Sequence, residues 1–174
     1  MKLNEITMPS YKELAEIRLQ NAGYTRLGKG MTGMVFAKPD ENFVLKLFDS
    51  NDDSYIEFLS FCSTQPNNPN LPKFKSKLIK VTDHYYAIRM ERLEKINSSS
   101  DKDFVKLIDR AFTFELMRKF QSIWMTQLDD QDHNLAKTIK ALANYIVHSG
   151  FNNDIDEYNV MKRGDTFVIT DPIC

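Results

Sequence analysis

Cysteine is scarce in this 174-residue chain, which has only Cys62 and Cys174. Two distant thiols make neither a disulfide framework nor a zinc site, so a reduced, cytoplasmic setting is expected. Net charge is almost absent too. With 23 Lys and Arg against 24 Asp and Glu, the formal charge is −1. That balance gives no long-range pull toward nucleic acid or an anionic membrane, and neither is expected as a partner. No continuous apolar stretch follows Met1-Lys2-Leu3-Asn4-Glu5 or occurs later. Neither a signal peptide nor a membrane span is therefore expected. His84, His133 and His148 stand singly, which gives no histidine-built metal site, and His148 reads as a cap for helix-end carbonyls.

What is present is an ordinary globular mixture, 42% hydrophobic and 27% charged, with length enough to bury a real core. The 12 phenylalanines and 8 methionines read as core, and Phe112, Phe114, Phe120 and Trp124 fall on helix faces. Ser10 and Glu13 form a capping-box pattern. Leu14, Ile17 and Ala22 then recur on one helical face before Asn21 and Gly23 stop it. Residues 24–28, 34–37 and 43–48 read as short strands separated by glycine- and proline-bearing turns. Residues 52–63 look helical, the polar run 65–72 breaks the helix, and strands are expected at 74–81 and 85–91. The second half is helical: Phe104, Leu107, Ile108, Ala111, Phe112, Leu116 and Phe120 keep one period, and Leu135, Ile139, Leu142, Ala143, Ile146 and Val147 another. A hairpin is expected at 158–161 and 166–170, turned by Arg163-Gly164-Asp165.

Three segments carry chemistry. Gly28-Lys29-Gly30-Met31-Thr32-Gly33-Met34-Val35 is a Gly-x-Gly-x-x-Gly-x-Val pattern, in which glycines let backbone lie close over phosphates. A glycine-rich hairpin turn without a ligand reads the same. A dinucleotide fold would start a helix at these glycines, whereas Met-Val-Phe-Ala after Gly33 is strand-like. Phe43-Val44-Leu45-Lys46-Leu47-Phe48 sets a lysine among apolar residues. Burying an ammonium is costly unless phosphates and a carboxylate meet it, although a solvent-facing lysine on an edge strand is the plain alternative. Glu57, the sole glutamate of the 52–63 helix, is the natural partner, and equally an ordinary solvated side chain. Asp154-Ile155-Asp156-Glu157-Tyr158-Asn159 offers a proton acceptor five positions before a magnesium ligand, and Asp171 ends a short apolar strand as a second metal-binding group. An acidic surface loop before an ordinary hairpin would also fit that segment alone.

Taken in order, these residues resemble the protein-kinase-like superfamily over nearly the whole chain after Tyr24. The resemblance implies an α+β, bilobal fold. Residues 1–96 would be an N-lobe with an N-terminal helix, a glycine-rich loop, a five-stranded antiparallel sheet, a C-type helix and a hinge near 90–93. Residues 97–174 would be a minimal, truncated helical C-lobe. Asn68-Pro69-Asn70-Leu71-Pro72 looks like the family's approach to its fourth strand, and Met90-Glu91-Arg92-Leu93 like its gatekeeper and hinge. The ending, with Asp171-Pro172 in place of Asp-Phe-Gly, is especially similar to the early serine/threonine kinases of T7-like bacteriophages, which modify host proteins.

ATP and Mg²⁺ are the implied cofactors. Gly28, Gly30, Gly33 and Val35 would cover the nucleotide, and Met90, Glu91 and Leu93 would hold its adenine. Lys46 would grip the phosphates with Glu57 orienting it. Asp154 would accept the proton of the acceptor hydroxyl, Asp156 being its rival, and Asn159 and Asp171 would bind the metal. The expected function is a serine/threonine protein kinase acting on a host protein or itself in the cytoplasm. The alternatives are a pseudokinase that grips a partner and, third, a small-molecule kinase, whose larger acceptor-enclosing region has no counterpart here.

This sequence also departs from the family. Asn152-Asn153 stands where the family has His-Arg, and Asp156 where protein kinases carry lysine. No activation segment or Ala-Pro-Glu motif occurs in the residues after Asp171. Substrate recognition is therefore expected from the 101–149 helices or from a homodimer or partner that covers the shortened lobe.

Overall fold

The computed structural model describes residues 9–30, 33–117 and 123–174. In chain order its first elements are α1 (Tyr11–Asn21), β1 (Thr25–Lys29), β2 (Gly33–Ala37), β3 (Phe43–Asp49), α2 (Asp53–Thr64), β4 (Ile79–Lys80) and β5 (Tyr85–Glu91). There follow β6 (Glu94–Lys95), α3 (Ser99–Leu116), α4 (Ile123–Gln131), α5 (His133–Ile146), β7 (Val160–Arg163) and β8 (Thr166–Ile169). The expected α+β composition and five-stranded antiparallel sheet are both present. The residues group into two compact units, Met1–Asp52 with Phe74–Arg92, and Asp53–Lys73 with Leu93–Cys174.

In the first unit the sheet runs β1-β2-β3-β5-β4. α1 starts on a complete capping box: the Ser10 N–H donates to Glu13 Oε2 at 2.7 Å, and the Glu13 N–H donates to Ser10 Oγ at 3.3 Å. The helix buries Ala15 and Leu19 against Met34, Phe36, Leu45, Leu47 and Ala87 on one sheet face. The expected Leu14-Ile17-Ala22 stripe is not the buried one, since Ile17 is 45% exposed. An i, i+4 pair of one small and one large residue suffices to seat a short helix on a sheet. The expected strand at 74–81 also contracts, to Ile79–Lys80 plus a bridge between Phe74 and Met90. Between them the Lys75 N–H donates to Arg89 O at 2.7 Å, while the Arg89 N–H goes to the Ser76 hydroxyl at 3.1 Å, so a side chain replaces one ladder bond.

The second unit holds α2 as well as the later helices, whereas residues 1–96 were expected to form one lobe. Local physics accounts for this grouping. α2 buries Tyr55, Phe58, Phe61 and Cys62, and the Phe61 ring lies 5.3 Å from that of Tyr145. The segment after α2 then runs beside β8: Asn70 O accepts the Ile169 N–H at 2.9 Å, and Asn70 Nδ2 donates to Phe167 O at 2.9 Å. Arg163 clamps the same stretch, donating to Pro69 O at 2.7 Å and Leu71 O at 3.1 Å. α3, α4 and α5 pack on one another, and Asp132 caps α5 by accepting the Leu135 N–H at 2.9 Å. β6, β7 and β8 form a three-stranded antiparallel sheet whose last turn has Gly164 at φ +59°. A positive φ there suits glycine in a two-residue hairpin turn. Phe120 lies outside the described residues, as do Met31 and Thr32 of the glycine pattern. Among the described residues no helix is long and apolar enough to cross a membrane.

Candidate functional site

The chemistry-bearing residues fall into two groups, one in each unit. In the first, period-two alternation puts Lys46 on the sheet face opposite α1. It lies directly across from Val35 on β2 and Ile88 on β5, while Val44 pairs with Met90. Ala37, Val44 and Met90 are buried together there, with Val35 and Phe74 against them. The half-buried lysine thus rises from an apolar floor. β1 and β2 form the glycine-rich hairpin, whose turn is closed by the Gly30 N–H donating to Gly33 O at 2.8 Å.

The three glycines are not equivalent. A Cβ on Gly33 would stand 3.0 Å from Leu47 O and 3.5 Å from Lys46 Cε, so the lysine stem passes along this bare Cα. A Cβ on Gly28 would meet nothing within 4 Å, and one on Gly30 only Gly33 O at 3.7 Å. The protein's own packing is therefore tight at Gly33, open at Gly28 and in ordinary contact at Gly30. At the strand's far end Met90 is buried, Glu91 is half-buried opposite Phe43, and the Arg92 N–H donates to Asn42 O at 3.3 Å. Leu93 begins the next stretch of the second unit, which also contains Glu57, half-buried on α2.

In the second unit Asp154, Asn159 and Asp171 are drawn together by backbone pairing. Residues 152–154 run antiparallel to 172–174: Asn152 and Cys174 exchange two backbone bonds, Asn153 bridges Ile173, and the Asp154 N–H donates to Pro172 O at 2.8 Å. One residue before Asp171, the Thr170 N–H and hydroxyl donate to Asn159 O at 2.8 and 3.0 Å. The Asn159 amide in turn donates to Asp154 O at 2.7 Å and to Asp154 Oδ2 at 2.9 Å. Asn159 is thus locked at its carbonyl to Thr170, between β8 and Asp171, and at its side chain to Asp154. The electrostatics agree, because burial, with the nearby Asp154 and Asp171 carboxylates, pushes the Cys174 thiol up.

Asp156 is placed differently. Its Oδ1 accepts the N–H groups of Tyr158 at 2.7 Å and Asn159 at 2.9 Å, capping its own turn. Lys102, at the start of α3, pairs with Glu157 at 2.5 Å, and this carboxylate raises the lysine's pKa. Lys162 pairs with Asp101 at 3.3 Å, tying the same helix to β7.

The fit to a divalent cation follows from the donors. The Asp171 carboxylate and the Asn159 amide oxygen are hard donors without a closed cage, and could hold a cation such as Mg²⁺ that keeps waters and phosphate oxygens as further ligands. Among the described residues no cluster of three or more His, Cys, Asp or Glu forms a self-sufficient metal site. Sequence reasoning gave no role to Asn153, Thr170 or Asn70, whose hydrogen bonds reach residues distant in the chain. The Asn152-Asn153 doublet and the 68–72 segment were singled out, but nothing in them signalled these partners.

No family model matches the sequence, and no curated protein matches it. Among solved structures, the kinase domain of Mycobacterium tuberculosis PknI is similar at 16% identity and a TM-score of 0.41. The alignment covers 86% of this chain and 59% of that one, so the chain spans less than two thirds of that domain.

Proposed function

We propose that this chain is a protein-kinase-like phosphotransferase that moves the γ-phosphoryl group of ATP to a serine or threonine hydroxyl. The observation that carries this reading is the Asn159 bridge, whose side chain grips Asp154 while its carbonyl is held beside Asp171. The strand order β1-β2-β3-β5-β4, with a lysine on β3 over an apolar face, supports it from the first unit. In this reading Val35, Val44 and Met90 receive the adenine, with backbone at Glu91 and Leu93 bonding its edge. Open space over Gly28 would admit the phosphates beneath the glycine hairpin, Lys46 would bind them, and Glu57 would orient the lysine. Asn159 and Asp171 would hold Mg²⁺, which supplies charge neutralisation on the transferring group. Asp154 takes the acceptor hydroxyl's proton as its oxygen bonds to phosphorus and the bond to ADP breaks. Positioning and electrostatics supply most of such catalysis, so a small set of residues suffices.

The acceptor is a host protein or the chain itself, in the cytoplasm of an infected bacterium, as the likeness to T7-like phage kinases implies. The test is incubation with γ-labelled ATP and Mg²⁺, alone and with bacterial lysate. Label on the chain or on lysate proteins that disappears in Lys46→Ala and Asp171→Ala is the expected result. Label that survives both substitutions refutes the reading. One feature favours a second reading, a pseudokinase that binds nucleotide and a partner: the sequence has Asp156 at the position where protein kinases carry a lysine, so that cation is missing from the loop. Tight ATP binding without transfer to any protein would select it.

A further inference from the structure

Asp154 is exposed, yet both its neighbours are tied down. The Asn153 backbone bridges Ile173, and Ile155 is buried. The Asn153 side chain goes further. Its amide nitrogen donates to Asp109 Oδ1 at 2.5 Å, to Asp109 O at 3.2 Å and to Thr113 Oγ1 at 2.7 Å, all on α3. Its Oδ1 accepts the Ile155 N–H at 2.9 Å. One side chain therefore spans Asp154, holding the residue after it while gripping a helix turn behind it. Bonds to a carboxylate are shorter and stronger than neutral ones, and a partly buried amide fixed through both of its ends has little freedom left.

We propose that Asn153 is the positioning residue for Asp154, fixing the loop from Asp109 and Thr113 of α3 so that the Asp154 carboxylate meets the Asn159 amide. The proposal rests on the phosphotransfer reading for what Asp154 does, and on geometry alone for how Asp154 is held. The hydrogen bonds of the Asn153 side chain run to α3 and to the Ile155 N–H, so its part is positional. Loosening it should misplace the proton acceptor while leaving nucleotide binding intact.

The experiment compares Asn153→Asp, which faces a carboxylate with a carboxylate, and the exchanged pair Asn153→Asp with Asp109→Asn, which restores one donor and one acceptor. Full-length protein is used, with two readouts: Ile155 amide hydrogen exchange by NMR, and kcat and KM for Mg-ATP. In Asn153→Asp, Ile155 should exchange faster and kcat should fall between about 10- and 100-fold, with KM for ATP changed by less than about threefold. The exchanged pair should regain both Ile155 protection and most of kcat, including when Asn153→Asp alone fails to fold. Unchanged Ile155 exchange in Asn153→Asp overturns the proposal. So does an exchanged pair no better than the single variant, or a loss carried by KM rather than kcat. If the wild type transfers no phosphoryl group, the functional reading falls instead, and Ile155 exchange in the two variants still decides whether the tether exists.

Discussion

At the residue scale, the two aspartates of the loop have separable jobs, and substitution tells them apart. Asp156 spends Oδ1 on two backbone amides, a role that asparagine performs about as well. Asp156→Asn should therefore keep phosphotransfer within about threefold, because the turn stays capped. In the proposed phosphotransfer, where Asp154 takes the acceptor's proton, Asp154→Asn should lose about 10²–10⁴-fold, the usual worth of such a group. Parallel assays of labelled transfer check both. The sequence alone left these two acids as rivals, since spacing says which residues share a loop but not which oxygen finds a backbone N–H.

Cys62 offers a second check at this scale. Burial pushes its thiol from 9.0 up to about 12. The folded chain therefore keeps the proton at pH values where the unfolded chain has released it. The stabilisation is whole below pH 9 and is lost as pH rises toward 12, with a limiting slope of about 1.4 kcal/mol per pH unit. Urea melts at pH 8 and pH 10 should show a smaller alkaline loss for Cys62→Ala than for the wild type. A thiol reagent should modify Cys174 in the native chain and reach Cys62 only on unfolding.

At the scale of elements, the glycine hairpin makes a sharp distinction. Gly33→Ala sets a methyl against the Leu47 carbonyl and the Lys46 stem. It should cost about 1–3 kcal/mol of stability, as overpacking does, and should weaken ATP binding by displacing the lysine. Gly28→Ala meets open space and should stay within about 0.5 kcal/mol of wild type. Thermal melts and nucleotide titration read both. The pattern in the sequence was legible here, but the unequal reasons for its glycines were not, because they depend on what the next strand places above each Cα. Elements with strong local signals were legible in the same way: the capping box at Ser10, the apolar run of β3 around Lys46, the period of α5 and the glycine turn at 164. β6, two residues long, carries no such signal, since pairing with the distant β7 defines it. The Asp154–Asn159–Asp171 cluster was legible as residue types in order. Its assembly was not, because it rests on the 152–154 pairing with 172–174 and on Thr170, contacts without a local pattern.

At the scale of the whole molecule, neither unit is one continuous stretch of chain: each is built from two pieces. Residues 53–73 complete the second unit through Asn70, the Arg163 clamp and the buried face of α2. A fragment of residues 93–174 lacks all of these, leaving β8 with an open edge and the Asn70 contacts missing. It should show no cooperative melt by circular dichroism, whereas a chain restored with residues 53–73 through a flexible linker should recover one. A sharp transition in the short fragment would contradict this.

The pairing of β3 with β5, seven residues long, bears on how a ribosome must deliver this protein. Residue 49 leaves translation 42 positions before residue 91. At about 5–20 residues per second, this gap keeps one edge of β3 open for several seconds while β2 already flanks the other. During synthesis that bare border of Val44, Leu45, Leu47 and Phe48 is where a holding chaperone would have something to grip.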